Sequence, residues 1–254
     1  MEEIVIILLG LIFGSFLNVI IFRLPLGESI VKPRSYCPGC RKQVKAYDNI
    51  PVISYIILGG KCRNCKTGIS IQYPFVEALS GFTFWFTWHN FSYSPVYAVF
   101  SIIFLLILIV LAFIDLKHMI LPDELTIGGG ILFFIYSFFN PFVSALEAIL
   151  SGLFVSLMFL GIYFFYLKVR NIEGLGQGDI KMVFMLGVFL GAQKLIVAIL
   201  LASVSGLLVG IIMILFHNKN LKHALPFGVF LGIGGYISYF WGDLIFNKIQ
   251  ILYL

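Results

Sequence analysis

Charged residues are scarce in this chain of 254 residues, since Asp, Glu, Lys and Arg make up only 11% of it. Apolar residues make up 60%, aromatic residues 17%, and the mean hydropathy is +1.03. So little polar surface excludes a water-soluble domain, a disordered chain and a disulfide-rich secreted module. The composition therefore indicates a protein that crosses a membrane several times.

The apolar runs also lack the period-two alternation of a membrane barrel, so we expect helices. A helix needs about 20 residues to cross about 30 Å of hydrocarbon. The first run lacks the basic start and the small-residue cleavage site of a signal peptide, so we expect a retained span. Five full-length uncharged runs and three shorter candidates predict an all-α polytopic protein with about eight transmembrane helices: 4–22, 95–114, 148–167, 195–216 and 224–242, with 74–88, 125–140 and 182–193.

Basic residues are unevenly distributed between these spans. With eight crossings, 15 of the 17 Lys and Arg residues fall on one side, and only Lys194 and Lys248 fall on the other. The positive-inside rule makes the basic side cytoplasmic and places both termini outside. The net charge of +5 is then a topology signal. It predicts a neighbouring lipid bilayer and no nucleic acid partner.

Residues 23–73 form the one connection long enough to fold by itself, and they contain all four cysteines of the chain. The cysteines form two C-x-x-C pairs, Cys37 with Cys40 and Cys62 with Cys65. Two such pairs fit a tetrahedral four-thiolate zinc site, which is structural because it leaves no position open for water. Two disulfides are the alternative, but the charge distribution places the segment in the reducing cytoplasm.

Two aspartates lie at the membrane boundary, Asp115 at the end of the third span and Asp179 at the start of the sixth. Counting crossings puts both on the cytoplasmic face, where a close pair of carboxylates would share a proton and activate water as an aspartyl protease dyad. Gly176 and Gly178 would let an extended substrate backbone lie against the site. Each aspartate also has a structural interpretation. Asp179 would be an acid at a helix N-terminus. Asp115 would form a salt bridge with Lys117 or Lys181.

Several motifs resemble those of the bacterial type IV prepilin peptidases, which are Gly-x-Gly-Asp membrane aspartyl proteases. Any one motif is weakly specific, whereas their order and spacing together are highly specific. The matching segments run almost the whole length of the chain: 13–20 (FGSFLNVI), 23–25 (RLP), both cysteine pairs, 49–51 (NIP), 69–74 (ISIQYP) before Glu77, 114–116 (IDL), 121–123 (LPD), 176–181 (GQGDIK) and 226–228 (PFG).

The resemblance implies a bifunctional enzyme of the inner membrane, with its active site facing the cytoplasm. Such enzymes cleave the short basic leader of prepilins and pseudopilins just before a hydrophobic helix. They then methylate the new N-terminal residue, usually phenylalanine, with S-adenosylmethionine. The catalytic aspartates of the family map onto Asp115 and Asp179. The implied division is a first transmembrane helix at 1–22, a cytoplasmic zinc-binding insert at 23–73 and a peptidase domain of about seven helices at 74–254.

The methyl-transfer site is harder to place, because no Rossmann-type glycine fingerprint follows a strand. Within the family, methyl transfer is associated with the cytoplasmic insert. This makes Gly60, Lys61 and Glu77 the candidates, since a carboxylate can bind a substrate ammonium or a ribose hydroxyl. In the alternative interpretation, Glu77 pairs with a basic residue of the insert and Gly60 merely forms a turn.

Two other functional classes remain open at this stage. A zinc-anchored scaffold or transporter would place acids toward mid-bilayer and show inverted repeats of broken helices, which the sequence does not show. An archaeal preflagellin peptidase would be expected to lack the four-cysteine insert.

Overall fold

The computed structural model describes residues 1–171, 176–217 and 225–252, and these residues form helices and loops without any strand. The basic loop with Lys219 and Lys222, used above for orientation, lies outside the described residues. The predicted all-α class is confirmed. The α-helices are α1 (Glu2–Arg23), α2 (Ile53–Ile57), α3 (Gln72–Phe91), α4 (Pro95–His118), α5 (Asp123–Ser137), α6 (Ala145–Arg170), α7 (Gln177–His217) and α8 (Phe227–Leu252).

Five of the described helices are long and apolar enough to cross a membrane, namely α1, α4, α6, α7 and α8. The count of eight spans therefore stays a prediction. Helix α5 has 15 residues, which extend about 22 Å and fall short of about 30 Å of hydrocarbon. Helix α7 continues through two of the runs that the sequence analysis counted separately.

The chain divides into two compact units, Met1–Leu106 and Ile107–Leu254, with the boundary inside α4. The first unit therefore includes α3, which packs on α1, whereas the sequence assigned residues 74–91 to the peptidase domain. The structural division concerns packing alone. The functional division at 22 and 73 stays a prediction.

In the first unit, α1 and α3 are antiparallel. The Trp88 indole near the end of α3 donates to Glu2 Oε1 at the start of α1, at 3.1 Å. The helices come so close that a Cβ added to Gly10 would lie 2.8 Å from the Gly81 Cα. One added to Gly14 would lie 2.6 Å from the Glu77 Cα. The Gly-x-x-x-Gly spacing on α1 thus serves close helix packing.

In the second unit, α7 is the central helix and packs against α5, α6 and α8. Its side chains Met182, Met185 and Leu186 are fully buried. The Gly187 backbone of α7 lies directly on Gly152 of α6, since an added Cβ would approach the Gly152 Cα to 2.7 Å. This packing fixes the N-terminal end of α7, where Asp179 lies.

Helix α7 is interrupted at Gly191, whose φ of 75° and ψ of 176° are not helical. The Ser151 hydroxyl of α6 lies 2.8 Å from the Gly187 carbonyl oxygen, about one turn before this break. A polar contact between α6 and α7 therefore lies beside the interruption.

We expect Gly191→Ala to destabilise the protein by about 1–3 kcal/mol, because this backbone region is essentially restricted to glycine. An added Cβ would also lie 2.8 Å from Glu147 Oε1. Thermal unfolding in detergent measures the effect. The matched control is Gly161→Ala in α6, where an added Cβ meets open space. Equal melting temperatures for the two variants would contradict the prediction.

Candidate active site and metal centre

Asp115 and Asp179 are both buried, at 5% and 8% exposure. Asp115 lies in the last turn of α4, and Asp179 lies in the first turn of α7. The two carboxylates are close enough for electrostatic repulsion between them. The two aspartates that the sequence predicted to pair, one at the end of a span and one at the start of another, therefore lie near each other.

Leu121 in the loop after α4 fixes the spacing around this pair. A Cβ added to Gly178 would lie 2.9 Å from the Leu121 Cβ. A Cβ added to Gly228 would lie 3.0 Å from Leu121 Cδ1 and 2.8 Å from Asp115 Oδ2. The starts of α7 and α8 therefore approach the same leucine. In this structure Leu121 occupies the space next to Gly178, where the sequence predicted that a substrate backbone would lie.

Backbone near the starts of α7 and α8 lies against both carboxylates. The Val229 N–H donates to Asp115 Oδ2 at 3.1 Å, and a Cβ added to Gly228 would lie 2.8 Å from the same oxygen. A Cβ added to Gly176 would lie 2.8 Å from Asp179 Oδ2. N–H groups at the start of a helix have no partner within the helix and favour negative charge. The first turn of α8 thus stabilises a negative charge on Asp115.

A neighbouring ion pair connects α5 to α7. Lys181 Nζ lies 2.6 Å from Asp123 Oδ1. The sequence offered Lys181 as a partner for Asp115, but the lysine pairs with Asp123, which begins α5. The side chains are 35% and 58% exposed. Such an exposed pair contributes at most about 1 kcal/mol, so it orients the two helix ends more than it stabilises them.

The two cysteine pairs form matching turns. The Cys37 N–H donates to the Lys42 carbonyl and the Cys62 N–H to the Thr67 carbonyl, both at 2.9 Å. Residues at the same position in each turn, Arg41 and Lys66, have positive φ angles of 55° and 61°. Each turn is closed by one isolated bridge, between Tyr36 and Gln43 in the first turn and between Lys61 and Gly68 in the second.

The four thiol sulfurs of these turns converge. All lie within 4.8 Å of one another, and Cys37 Sγ is 3.7 Å from Cys65 Sγ. Four sulfurs at about 2.3 Å from a tetrahedral metal are separated by about 3.8 Å. All four cysteines are free, so the disulfide alternative does not describe this structure. The donor set therefore fits a single metal ion that prefers thiolate ligands.

Hydrogen bonds favour the thiolate form of Cys65. Thr67 Oγ1 lies 3.2 Å from Cys65 Sγ. Hydrogen bonds from the Thr67 hydroxyl and backbone N–H lower the pKa of Cys65 to about 6. Arg63, between the two cysteines of the second turn, donates to Asp48 at 2.6 Å. Its guanidinium holds the pKa of the Asp48 carboxyl below its usual value. This charge-assisted hydrogen bond stabilises the segment between the two cysteine turns.

The three methyl-transfer candidates lie in the first unit. Gly60 has a φ of 67°, and an added Cβ would lie 3.0 Å from the Tyr55 hydroxyl, so the turn requires glycine. Lys61 is exposed at the start of the second cysteine turn. Glu77 is buried and accepts a hydrogen bond from the Val52 N–H at 2.7 Å. Among the described hydrogen bonds and ion pairs, none joins Glu77 to Gly60 or Lys61, so a shared role stays a prediction.

Sequence reasoning did not identify the backbone donors on α8 or the leucine between the helix ends. The 226–228 segment (PFG) was noted only as a motif, although a proline followed by an apolar helix predicts a helix N-terminus. Asp123 begins α5 without capping it and forms the ion pair with Lys181. A backbone N–H carries no signal in the sequence, which is why the partner of Asp115 was missed.

Family models match both parts of the chain. Residues 8–91 match the model described as the bacterial peptidase A24 N-terminal domain, and residues 102–211 match the type IV leader peptidase family. The chain belongs to this family. The first match contains both cysteine pairs, and the second contains both buried aspartates. The resemblance stated from the motifs is therefore confirmed.

Characterised members of the type IV leader peptidase family are similar over most of the chain. A Legionella pneumophila protein named prepilin leader peptidase/N-methyltransferase is 37% identical, over 94% of this chain and 91% of its own length. Proteins of the same name from Pseudomonas aeruginosa and Aeromonas hydrophila are 36% and 34% identical, each over 94% of this chain and 90% of its own length. No solved structure matches the chain.

We expect the purified full-length protein to contain about one tightly bound metal ion per chain, because four converging thiolates form a closed site. Cys62→Ser should lose most of this metal, as measured by elemental mass spectrometry. Lys42→Ala, which alters an exposed side chain of the first cysteine turn, is the matched control. Equal metal contents in the two variants would contradict the assignment of the ligands.

Proposed function

We propose that this chain cleaves the leader peptide of type IV prepilins or pseudopilins and then N-methylates the new N-terminal residue. The observation that carries the first activity is that two buried carboxylates, Asp115 and Asp179, lie near enough to repel each other beside the starts of α7 and α8. An adjacent pair of this kind is the arrangement an aspartyl protease requires. The names of the relatives support both activities.

The two aspartates share one proton in the proposed mechanism, since like charges at short distance do not both ionise easily. Asp115, which accepts the Val229 N–H at the start of α8, is the ionised member and removes a proton from the attacking water. Asp179 holds the proton and donates a hydrogen bond to the scissile carbonyl oxygen. Water oxygen then bonds to the carbonyl carbon, the C–N bond breaks, and the departing amine takes up the proton.

Substrate and membrane orientation follow from charge and hydropathy. The proposed substrate has a short basic leader that remains in the cytoplasm and a hydrophobic helix that enters laterally from the lipid. Cleavage takes place at the cytoplasmic face of the inner membrane, and both termini of the enzyme lie outside. The excess of basic residues in 23–73 supports this orientation. The proposal includes no nucleic acid partner.

Functions are divided along the chain in this proposal. Residues 1–22 anchor the insert, residues 23–73 hold structural zinc through Cys37, Cys40, Cys62 and Cys65, and residues 74–254 carry the peptidase, with Gly176 and Gly178 in the active-site loop. S-adenosylmethionine supplies an electrophilic methyl group for the second reaction. Gly60 and Lys61 are the residues proposed to contact the donor, and Glu77 is proposed to contribute by positioning the insert that carries them. When bound there, the donor would supply the methyl group that the new amine accepts in exchange for a proton.

We expect Asp115→Asn and Asp179→Asn each to reduce leader cleavage by at least about a thousandfold, because neither amide exchanges the required proton. Cleavage of a co-expressed prepilin, seen as a mobility shift, measures the effect. Asp243→Asn is the matched control, because Asp243 pairs with Lys194 at 3.0 Å toward the far end of α8. Normal cleavage in both dyad variants, with membrane insertion intact, would disprove the assignment.

The methyl-transfer half predicts that the first residue of the cleaved pilin gains the mass of one methyl group. Mass spectrometry of the product from wild-type enzyme and labelled S-adenosylmethionine measures this gain. An enzyme that cleaves but leaves the amine unmodified would retain only the peptidase activity. Product from the Asp179→Asn variant is the control, since an uncleaved substrate exposes no new amine.

A further inference from the structure

Glu77 lies where α3 touches α1 most closely. It is 8% exposed, and its Cα faces Gly14, at which an added Cβ would approach to 2.6 Å. Ser15 of α1 is a favourable electrostatic neighbour of its carboxylate. In addition, the Asn18 side-chain amide donates to the Tyr73 carbonyl at the start of α3, at 3.1 Å. The helix pair therefore holds the Glu77 carboxylate in one place.

The carboxylate reaches out of the helix pair to Val52. Glu77 Oε2 accepts the Val52 N–H at 2.7 Å. Val52 is the central residue of a three-residue turn in which the Ile53 N–H donates to the Pro51 carbonyl at 2.6 Å. Its φ of 62° and ψ of −50° are those of the rare, strained form of the γ-turn. For a β-branched residue this conformation is an outlier that surrounding contacts must impose.

The segment around this turn satisfies its other hydrogen bonds internally. Ser54 Oγ accepts the Ile50 N–H at 3.0 Å and donates to the Tyr47 carbonyl at 2.9 Å. The Ser54 N–H donates to the Ile50 carbonyl at 3.0 Å. The Val52 N–H instead bonds outside the segment, and its partner is the buried carboxylate. This bond thus ties the strained turn to α3.

A continuous series of contacts leads from this turn to the metal centre. Helix α2 begins directly after Val52, and the Gly60 N–H donates to the carbonyl of Tyr55 in α2 at 2.9 Å. Gly60 also accepts the Ile69 N–H at 2.7 Å, which closes the second cysteine turn around Cys62. The position of that turn therefore depends on the conformation at Val52.

We propose that Glu77 is a positioning residue that fixes the four-cysteine insert on the α1–α3 pair by holding Val52 in its strained turn. This assigns Glu77 no contact with the methyl donor or the substrate amine. The inference deepens the proposed function, and it rests on that function only where methyl transfer is the readout. The insert is placed for methyl transfer by a hydrogen-bond acceptor, and the negative charge of that acceptor is not required.

The test compares Glu77→Ala, Glu77→Gln, Val52→Gly and the double variant Glu77→Ala/Val52→Gly in the full-length enzyme. Glycine adopts positive φ without strain, so Val52→Gly keeps the turn when the carboxylate is removed. Limited trypsin digestion of the detergent-solubilised protein reports the order of the insert, since 23–73 is rich in Lys and Arg. Methyl incorporation per cleaved pilin reports its placement.

Glu77→Ala should be digested on the order of tenfold faster within the insert, because the turn opens locally. Its methyl transfer should fall by about a hundredfold, since displaced reactive groups lose alignment, while leader cleavage stays close to wild type. Glu77→Gln retains an acceptor oxygen and should resemble wild type. Val52→Gly alone should also resemble wild type, and the double variant should recover both protease resistance and methylation.

Three results would overturn the proposal. The first is a Glu77→Gln variant that resists trypsin but does not methylate, which would assign the charge a direct chemical role. The second is a double variant that stays as sensitive to trypsin as Glu77→Ala. The third is unchanged digestion of Glu77→Ala itself. If wild-type enzyme cleaves without methylating, the proposed second activity fails, and the digestion series still decides the role of Glu77.

Discussion

The cost of burying a carboxylate among apolar helices is the constraint on which the rest of the structure depends. Asp115, Asp179 and Glu77 are all buried. Asp115 accepts the Val229 N–H, and Glu77 accepts the Val52 N–H. The ion pairs among the described residues involve other acids, at exposed positions or in the insert. Backbone donors compensate the charge without burying a long cationic side chain. The fold determines the position of each donor, so each carboxylate is stabilised only when the backbone that contacts it is correctly placed.

Close backbone approach is the second requirement, and glycine meets it in both units. In the first unit, Gly14 lets α1 reach the Cα of Glu77, which holds that carboxylate between two helices. In the second, Gly187 brings α7 onto Gly152, and Gly228 brings α8 to Asp115. A side chain at any of these positions would clash with the facing group, and the helices would have to move apart. The same glycines therefore allow the helices to pack closely and determine where the buried carboxylates lie.

The sequence alone predicted much of the site, because its strongest signals are local or chemical. Two C-x-x-C pairs predict a four-thiolate cluster whatever the path between them, and the converging sulfurs agree. Aspartates at the ends of apolar runs indicate a shared membrane face, and the Asp115 and Asp179 carboxylates do lie near enough to repel each other. The span count was less accessible, since α5 is short and a non-helical glycine lies within α7. Neither helix length nor a break at one glycine follows from hydropathy.

What the sequence determined by itself was therefore the class of molecule, its family motifs and the residue types of two centres. These features depend on composition and on the spacing of residues that are close in sequence, so they can be recognised before the fold is known. Only the tertiary structure decided which backbone N–H faces Asp115, that Lys181 pairs with Asp123, and that Glu77 bonds to a strained turn at Val52. Every residue except proline carries the same N–H, so its partner depends on where the chain places it in space.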